Sequence, residues 1–305
     1  MKTKLYQRPS FLTGDRLIML SWAKLIRAYD ELPDAYKSYF APLIDQGQAF
    51  PYTVLSPAIS GYLRKIPEKL ICECEETIHV VEIDNSKIGV TDFPINRIYE
   101  LQVGTVLLAS WITIKGKSLE GAPLSATLAF NTTTLSFFTP LLNKIRGVPA
   151  QVDESALIEQ LDKFDYLIKR SFKFMNYARR SLGGGEQVID SLWQTEIREP
   201  ILTLFGKQFN RTVSPQHLAI LTDKELILVS EDVRVSKNEQ GKYGGIWRYL
   251  PLRFITSVSA ARKNDLWKIT IELPNTESIE LLFEKPCEAE AKQLCLEIDH
   301  LTGKP

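Results

Sequence analysis

Two stretches of the chain carry apolar residues at helical spacing. Residues 13–46 open with a Thr-Gly-Asp start signal, and Pro33 divides them into two predicted helices, the second at 34–44. Residues 153–182 contain neither glycine nor proline, so they predict one long helix that ends at the three glycines 183–185. Its apolar stripe consists of Leu157, Leu161, Phe164, Ile168, Phe172, Met175 and Leu182. We expect the first five of these side chains to be buried against a β domain or the N-terminal helices.

Apolar and polar residues alternate in the other long stretches of the chain. At 69–83 most apolar residues alternate with polar ones, and an interruption of this alternation indicates a turn near Glu75-Glu76. It is clearest in a predicted hairpin formed by 217–221 and 226–229 around a Thr-Asp-Lys-Glu turn. Antiparallel strands with one face in water have this period of two. Each stretch then closes with a predicted helix that carries a proline, Pro140 or Pro286, in its first turn.

A repeated motif relates the two β stretches. Pro-Ile-Asn-Arg-Ile at 94–98 corresponds to Pro-Leu-Arg-Phe-Ile at 251–255, and the strand that follows opens with Trp111 in the first stretch and Trp267 in the second. A repeat of this length exceeds any solenoid unit, which favours two copies of one small domain. We expect the same strand order in both copies and no sheet shared between them.

The element order, the paired Pro-x-x-x-Ile motifs and the terminal helices resemble the pleckstrin-homology-like superfold, specifically its divergent bacterial domains. The resemblance covers about residues 50–147 and 197–303. It implies, in each copy, a β-barrel or sandwich of about seven short strands whose open end is covered by the C-terminal helix. The predicted protein is therefore mainly β with α, divided into an N-terminal helical region (1–49), a first domain (50–150), a linking helix with a glycine-rich turn (151–196) and a second domain (197–305).

Composition narrows the class of protein. With 305 residues, of which 44% are hydrophobic and 24% charged, the chain is long enough for two folded domains. Lys+Arg and Asp+Glu both number 37, so the basic excess typical of nucleic-acid binding is missing and we expect no nucleic-acid partner. The apolar stretch 17–26 is interrupted by Ser21 and Lys24 and is too short to span a bilayer. Together with four cysteines that fit no disulfide framework, this favours a cytoplasmic location.

The residues that most often carry chemistry are scattered. Cys72-Glu73-Cys74 supplies two thiols where a zinc site needs about four ligands, so we expect both to face a core. The three histidines have no nucleophile motif beside them: His79, His217 and His300. The glycines at 183–185 follow a helix, the wrong order for a phosphate-binding loop, and favour a flexible link. We therefore expect no catalytic residue, metal or cofactor, although a cleft with converging carboxylates or histidines would favour an enzyme.

A basic run on the predicted long helix is the first candidate binding site. It holds Lys169, Arg170, Lys173, Arg179 and Arg180, with no acid among them and three aromatic residues interleaved. Such a helix can lie on an anionic membrane. Alternatively it bridges two domains, its stripe packed on protein and its charges solvated, as we favour.

The resemblance supplies a second candidate site. Lipid-binding members of the superfold use a basic loop between their first two strands, which implies Lys207 and Arg211 in the second copy and residues 64, 65 and 69 in the first. Neither copy has the full pattern. The sequence thus predicts a non-catalytic binding or scaffolding protein that contacts a protein partner or itself. The alternative is a peripheral membrane protein that binds anionic lipid through the basic linking helix or the barrel loops.

Overall fold

The computed structural model describes residues 21–45, 47–60, 65–84, 87–204, 207–231 and 244–303. These residues form a mainly β structure with helices, as the period of two predicts. The strands pair antiparallel in several sheets, and no sheet within the described ranges closes into a barrel. The strands of each half are instead divided among three sheets, one of which is a two-stranded hairpin.

The elements are as follows. The first half contains β1 (Lys24–Ile26), α1 (Asp34–Asp45), β2 (Thr53–Ser56), β3 (Ile59–Ser60), β4 (Lys65–Ile66), β5 (Lys69–Cys74), β6 (Thr77–Asp84), β7 (Lys87–Pro94), β8 (Ile98–Val106), β9 (Ala109–Lys117), β10 (Pro123–Asn131) and α2 (Thr139–Arg146). The linking segment contains α3 (Glu154–Asp162) and α4 (Phe172–Ser181). The second half contains β11 (Val188–Gln194), β12 (Ile197–Leu204), β13 (Lys207–Ser214), β14 (His217–Thr222), β15 (Glu225–Ser230), β16 (Gly244–Pro251), β17 (Ser257–Lys263), β18 (Leu266–Glu272), β19 (Ser278–Glu284) and α5 (Glu288–Thr302).

The order of elements repeats between the halves. In the first, β2, β5, β6 and β7 are neighbours, with the β3–β4 hairpin inserted after β2. In the second, β11, β14, β15 and β16 are neighbours, with the β12–β13 hairpin inserted after β11. A 3-10 turn then follows at each repeated motif, Ile95–Arg97 and Leu252–Phe254. Three further strands in chain order, and after them a helix, complete each half.

One sheet crosses from one half to the other, so the expectation of separate sheets is wrong. Its strand order is β10-β9-β8-β16-β15-β14-β11. The crossing is made by β8 and β16, paired from Leu101↔Tyr249 to Val106↔Gly244. Two strands that would each end a sheet satisfy their backbone groups on one another. A glycine permits the close approach, because a Cβ on Gly244 would stand 2.5 Å from the carbonyl oxygen of Thr105.

The N-terminal region is only in part as predicted. The helix expected at 34–44 is confirmed by α1. The earlier helix is wrong where the structure describes it, because residues 24–26 form β1, which pairs with residues 53–55 of β2. Here pairing with a distant strand outweighs the local helical spacing. The rest of that expected helix, up to residue 20, lies outside the described residues.

The single long helix predicted at 153–182 is also wrong. The segment is divided into α3, a 3-10 turn at Asp165–Leu167, and α4. The break covers residues 163–171 and ends at Ser171, whose backbone is extended (φ −160°, ψ 94°) and whose hydroxyl oxygen accepts a hydrogen bond from the amide nitrogen of Phe174 at 3.4 Å. A serine in that role starts a new helix with a new direction. Consequently Ile168 and Phe172 are 48% and 64% exposed rather than buried.

One extended core holds the two halves together, and two further cores each lie within one half. The larger, shared core joins α2 and α4 to one face of the seven-stranded sheet, where Leu101 and Val103 of the first half belong to the same cluster as Trp247 and Tyr249 of the second. The opposite face of β11 and β14–β16 packs under β17–β19 and α5. A smaller core lies between α1 and the five-stranded sheet β1-β2-β5-β6-β7.

Candidate binding surface and buried charges

The turn between α3 and α4 presents apolar side chains to solvent. We call residues 166–172 the tip segment. Leu167 is fully buried and anchors it, while Ile168 and Phe172 point outward. Ser171 ties the segment to the second half, because its hydroxyl accepts a hydrogen bond from Nε2 of Gln216 at 3.3 Å. The tip is therefore held at Leu167 and Ser171, and three of its large hydrophobic side chains are exposed: Tyr166, Ile168 and Phe172.

The five basic candidates of the linking segment separate into two groups. Lys173 forms an ion pair with Glu231 at 2.7 Å, and Arg179 pairs with Asp165 at 2.6 Å. Lys169, Arg170 and Arg180 are exposed, and no carboxylate of the described residues lies within ion-pair distance of them. Two of these three, Lys169 and Arg170, belong to the tip segment. The guanidinium of Arg170 lies 5.6 Å from the ring centre of Tyr166.

The basic residues that the resemblance implies in the barrel loops are weaker candidates for a binding site. Arg211 is exposed and forms an ion pair with Glu199 at 3.2 Å across the β12–β13 hairpin. The side chain of Lys207 lies outside the described residues, as do those of residues 64 and 65. Lys69 pairs with Glu82 at 2.9 Å. Where these side chains are described, a carboxylate already neutralises them.

A buried group of charges joins α2, the glycine-rich turn and β15, and sequence reasoning missed it. Arg146 donates from Nη2 to Oε1 of Glu186 at 2.9 Å and to Oε1 of Glu225 at 2.5 Å. All three side chains are buried, and the guanidinium lies 4.0 Å from the ring centre of Tyr249. We call these three charged residues the carboxylate cluster. It places two carboxyl groups against one positive charge.

The burial of this cluster changes the acidity of its members. Desolvation, followed by repulsion from Glu225, raises the pKa of Glu186 to about 8, against the smaller lowering effect of Arg146. Desolvation also raises the pKa of Glu225, which Arg146 again lowers in part. One oxygen of Glu186, Oε2, has no hydrogen-bond partner among the described residues.

Two of the three glycines beside the cluster are buried and closely packed, which corrects the expectation of a flexible link. A Cβ on Gly183 would lie 2.6 Å from Cγ2 of Val148, and one on Gly184 would lie 2.1 Å from Cγ2 of Val152. Gly185 has a φ of +76°. Only a residue without a side chain fits such close contacts. The one sign of the carboxylate cluster in the sequence is an acid, Glu186, directly after the three glycines.

Two of the four cysteines lie beside a histidine at one cavity. Cys72 and Cys74 line a cavity of about 320 Å³ with His79, whose Nδ1 lies 2.7 Å from Oδ1 of Asp92. Burial raises the pKa of the Cys72 thiol to about 12, which opposes formation of a thiolate. Cys72 faces a core as expected, whereas Cys74 is half-buried. Within the described ranges no three His, Cys, Asp or Glu side chains are arranged to hold a metal ion.

His217 is buried, and burial lowers its pKa. Its ring packs against Phe283 with the ring centres 5.0 Å apart, and its Nδ1 is 3.0 Å from the carbonyl oxygen of Pro215. Donation from Nδ1 to that carbonyl suits a neutral imidazole. The side chain therefore lies inside the protein, away from solvent.

An uncharged cavity of about 540 Å³ lies on the open face of β8–β10. Its walls combine the Trp111 ring and Phe130 with the hydroxyls of Thr113 and Thr127, which lie 3.0 Å apart. The side chains of Ile59 and Ile66 form one rim. Among the described residues, none that lines this cavity is charged.

No model of a known protein family matches the chain, and no curated protein matches it in sequence.

Proposed function

We propose that this protein is a non-catalytic binding protein, made of two pleckstrin-homology-like halves, that attaches reversibly to anionic membrane surfaces through the tip segment. The observation that carries the proposal is the exposure of Ile168 and Phe172 beside two basic side chains, Lys169 and Arg170, that no described carboxylate neutralises. Apolar side chains can enter the boundary of the hydrocarbon while adjacent basic groups remain among the headgroups.

The repeated order of elements supports the family assignment within this proposal. Each half has a meander of four strands with an inserted hairpin, then a meander of three strands, then a helix. In the second half, α5 packs against both sheets of its half, as a helix that covers an open sandwich end would. A fold of this kind serves many functions, so the function rests on the tip segment and not on the fold.

The expected binding is weak and sensitive to salt. Lys169 and Arg170 contribute about 1 kcal/mol each near an anionic surface. Arg180 is eight residues beyond Phe172 on α4, roughly 12 Å along the helix axis. That distance exceeds the Debye length of about 8 Å at physiological salt, so Arg180 adds little. Insertion of Phe172 and Ile168 supplies the remainder, up to about 1.5–3 kcal/mol for each side chain that becomes fully buried.

Co-sedimentation with vesicles tests this proposal. Wild-type protein should sediment with phosphatidylcholine vesicles that contain phosphatidylserine, and not with phosphatidylcholine alone. The double variant Lys169→Glu/Arg170→Glu should lose this binding, and so should Ile168→Ser/Phe172→Ser. Raised salt should weaken the wild type because the charges are in water.

Two matched controls separate the tip from general effects. Lys24→Glu/Lys87→Glu makes the same change of net charge at exposed sites of the first half and should leave binding intact. Leu296→Ser removes a side chain that is 64% exposed, like Phe172, but lies on α5. Absence of wild-type binding, or equal loss in the control variants, would refute the membrane proposal. Capture of a protein partner that requires the same four tip residues would then support the protein-binding alternative.

A further inference from the structure

We propose that the carboxylate cluster is a pH-sensitive latch, which holds the linking segment against both halves while one of its two carboxyl groups carries a proton and loosens when both are ionised. This inference is independent of the membrane proposal, since it concerns how the linking segment is held and not what the tip contacts.

The connectivity places the cluster where a latch would act. Arg146 ends α2 of the first half, Glu186 follows the glycine-rich turn of the linking segment, and Glu225 begins β15 of the second half. The single guanidinium is thus the link among three parts of the chain. Loss of the Glu186 contact would release the linking segment from α2 of the first half, and loss of the Glu225 contact would release α2 from β15 of the second half.

The charges around Glu186 are unbalanced in favour of the protonated form. From α2 it faces Arg146, from β15 it faces Glu225, and from β16 the neutral phenol of Tyr249. Lys224 acts on Glu225 from the β14–β15 turn, where Asp223 accepts a hydrogen bond from the amide of Gln187 at 2.8 Å. On the linking segment, Lys163 donates to the carbonyl oxygen of Val188 at 2.7 Å.

Ionisation of both carboxyl groups in that buried space would set two negative charges against Arg146, the one cation of the described residues within ion-pair distance of them, while Lys224 acts from further away. Burial makes such an excess of negative charge unfavourable. The raised pKa of Glu186 agrees with this argument, because it means that the folded state holds the proton more tightly than the unfolded state. The contribution to stability is therefore complete below the ordinary pKa of 4.5 and is lost as the pH rises through about 8.

Two backbone amides report the state of the latch. The amide nitrogens of Gln187 and Val188 donate to Oδ1 of Asp223 and Oε1 of Gln160, each at 2.8 Å, so both are protected while the turn is held. Hydrogen exchange on the full chain measures this protection after correction for the pH dependence of intrinsic exchange. Between about pH 6.5 and about pH 8.5 we expect their protection to fall by on the order of tenfold. The amide of Ile227, in the middle of the seven-stranded sheet, serves as the internal reference.

Neutral isosteres test the assignment. Glu186→Gln should keep the turn protected at both pH values, because it cannot ionise. Glu225→Gln should likewise abolish the pH dependence, since the remaining carboxylate is then matched by Arg146, and it serves if the first variant does not fold. Glu100→Gln changes another buried glutamate, paired with Lys115 at 3.1 Å, and should leave the pH dependence in place. Protection that does not change with pH in the wild type, or a pH dependence that survives in Glu186→Gln, would overturn the proposal.

Discussion

The six-membered ring of Trp111 occupies the space above Gly104, its partner on the neighbouring strand. A Cβ on Gly104 would lie 2.1 Å from both Cε2 and Cζ2 of the indole. The ring thus rests on bare backbone on one side and contributes to the wall of the uncharged cavity on the other. The position of this tryptophan depends on the absence of a side chain at residue 104.

Gly104→Ala should therefore displace the indole. We expect the substitution to lower the free energy of unfolding by about 1–3 kcal/mol, the usual cost of overpacking a filled site. Urea denaturation of the two proteins measures this difference. Gly89→Ala on β7 is the matched control, because its nearest neighbour would be 3.7 Å away, an ordinary contact. Equal stability of Gly104→Ala and wild type would show that the ring moves freely.

Two phenylalanines of α4 should respond differently to truncation. Phe174 is fully buried in the larger core, and Phe174→Ala should cost about 3–5 kcal/mol. Phe172 is largely exposed, and Phe172→Ala should change stability by no more than about 0.5 kcal/mol. Thermal or urea unfolding distinguishes them. A larger loss of stability in Phe172→Ala than in Phe174→Ala would instead support the continuous helical stripe that the sequence predicts.

Acid should weaken the fold through His217. Burial lowers its pKa in the folded state, so the unfolded chain binds the proton more readily. Its contribution to stability is present above the ordinary pKa of 6.5 and is lost as the pH falls from there. His217→Asn keeps a donor for the carbonyl of Pro215 and should flatten the unfolding free energy below about pH 6.5. A slope that is unchanged in this variant would assign the acid sensitivity to other groups.

The two halves should not fold separately. Residues 1–150 produced alone would expose the β8 edge and the side chains of Leu101 and Val103 that pack with the second half. We expect that fragment to be unfolded or self-associated by size-exclusion chromatography. Co-expression with residues 151–305 is the control and should yield a complex of one copy of each. A monomeric, cooperatively folded fragment would contradict the dependence on the shared sheet.

Elements whose signal is local could be predicted from the sequence. The turn at Glu75-Glu76 lies between β5 and β6, and both residues have positive φ, as a tight turn requires. The hairpin of β14 and β15 and the helix α2, with proline at its start, are confirmed. In these cases alternation and capping act over a few residues, and the tertiary structure does not oppose them.

Features that depend on distant partners could not be predicted. The apolar spacing at 153–182 favours one helix, yet the cap at Ser171 and the burial of Leu167 redirect the chain. The β8–β16 pairing joins residues about 140 positions apart, for which no local pattern exists. Likewise, the pKa values of Glu186 and Glu225 are raised only because the fold buries the two carboxyl groups together beside Arg146.

The β8–β16 ladder also determines how the molecule would respond to force. Its six residue pairs run antiparallel along the two strands that connect the halves. A pull along the strand direction loads all of these hydrogen bonds together in shear, whereas a pull across the sheet opens them one after another from an end. The halves should therefore resist tension along the strands far better than tension that peels β16 from β8.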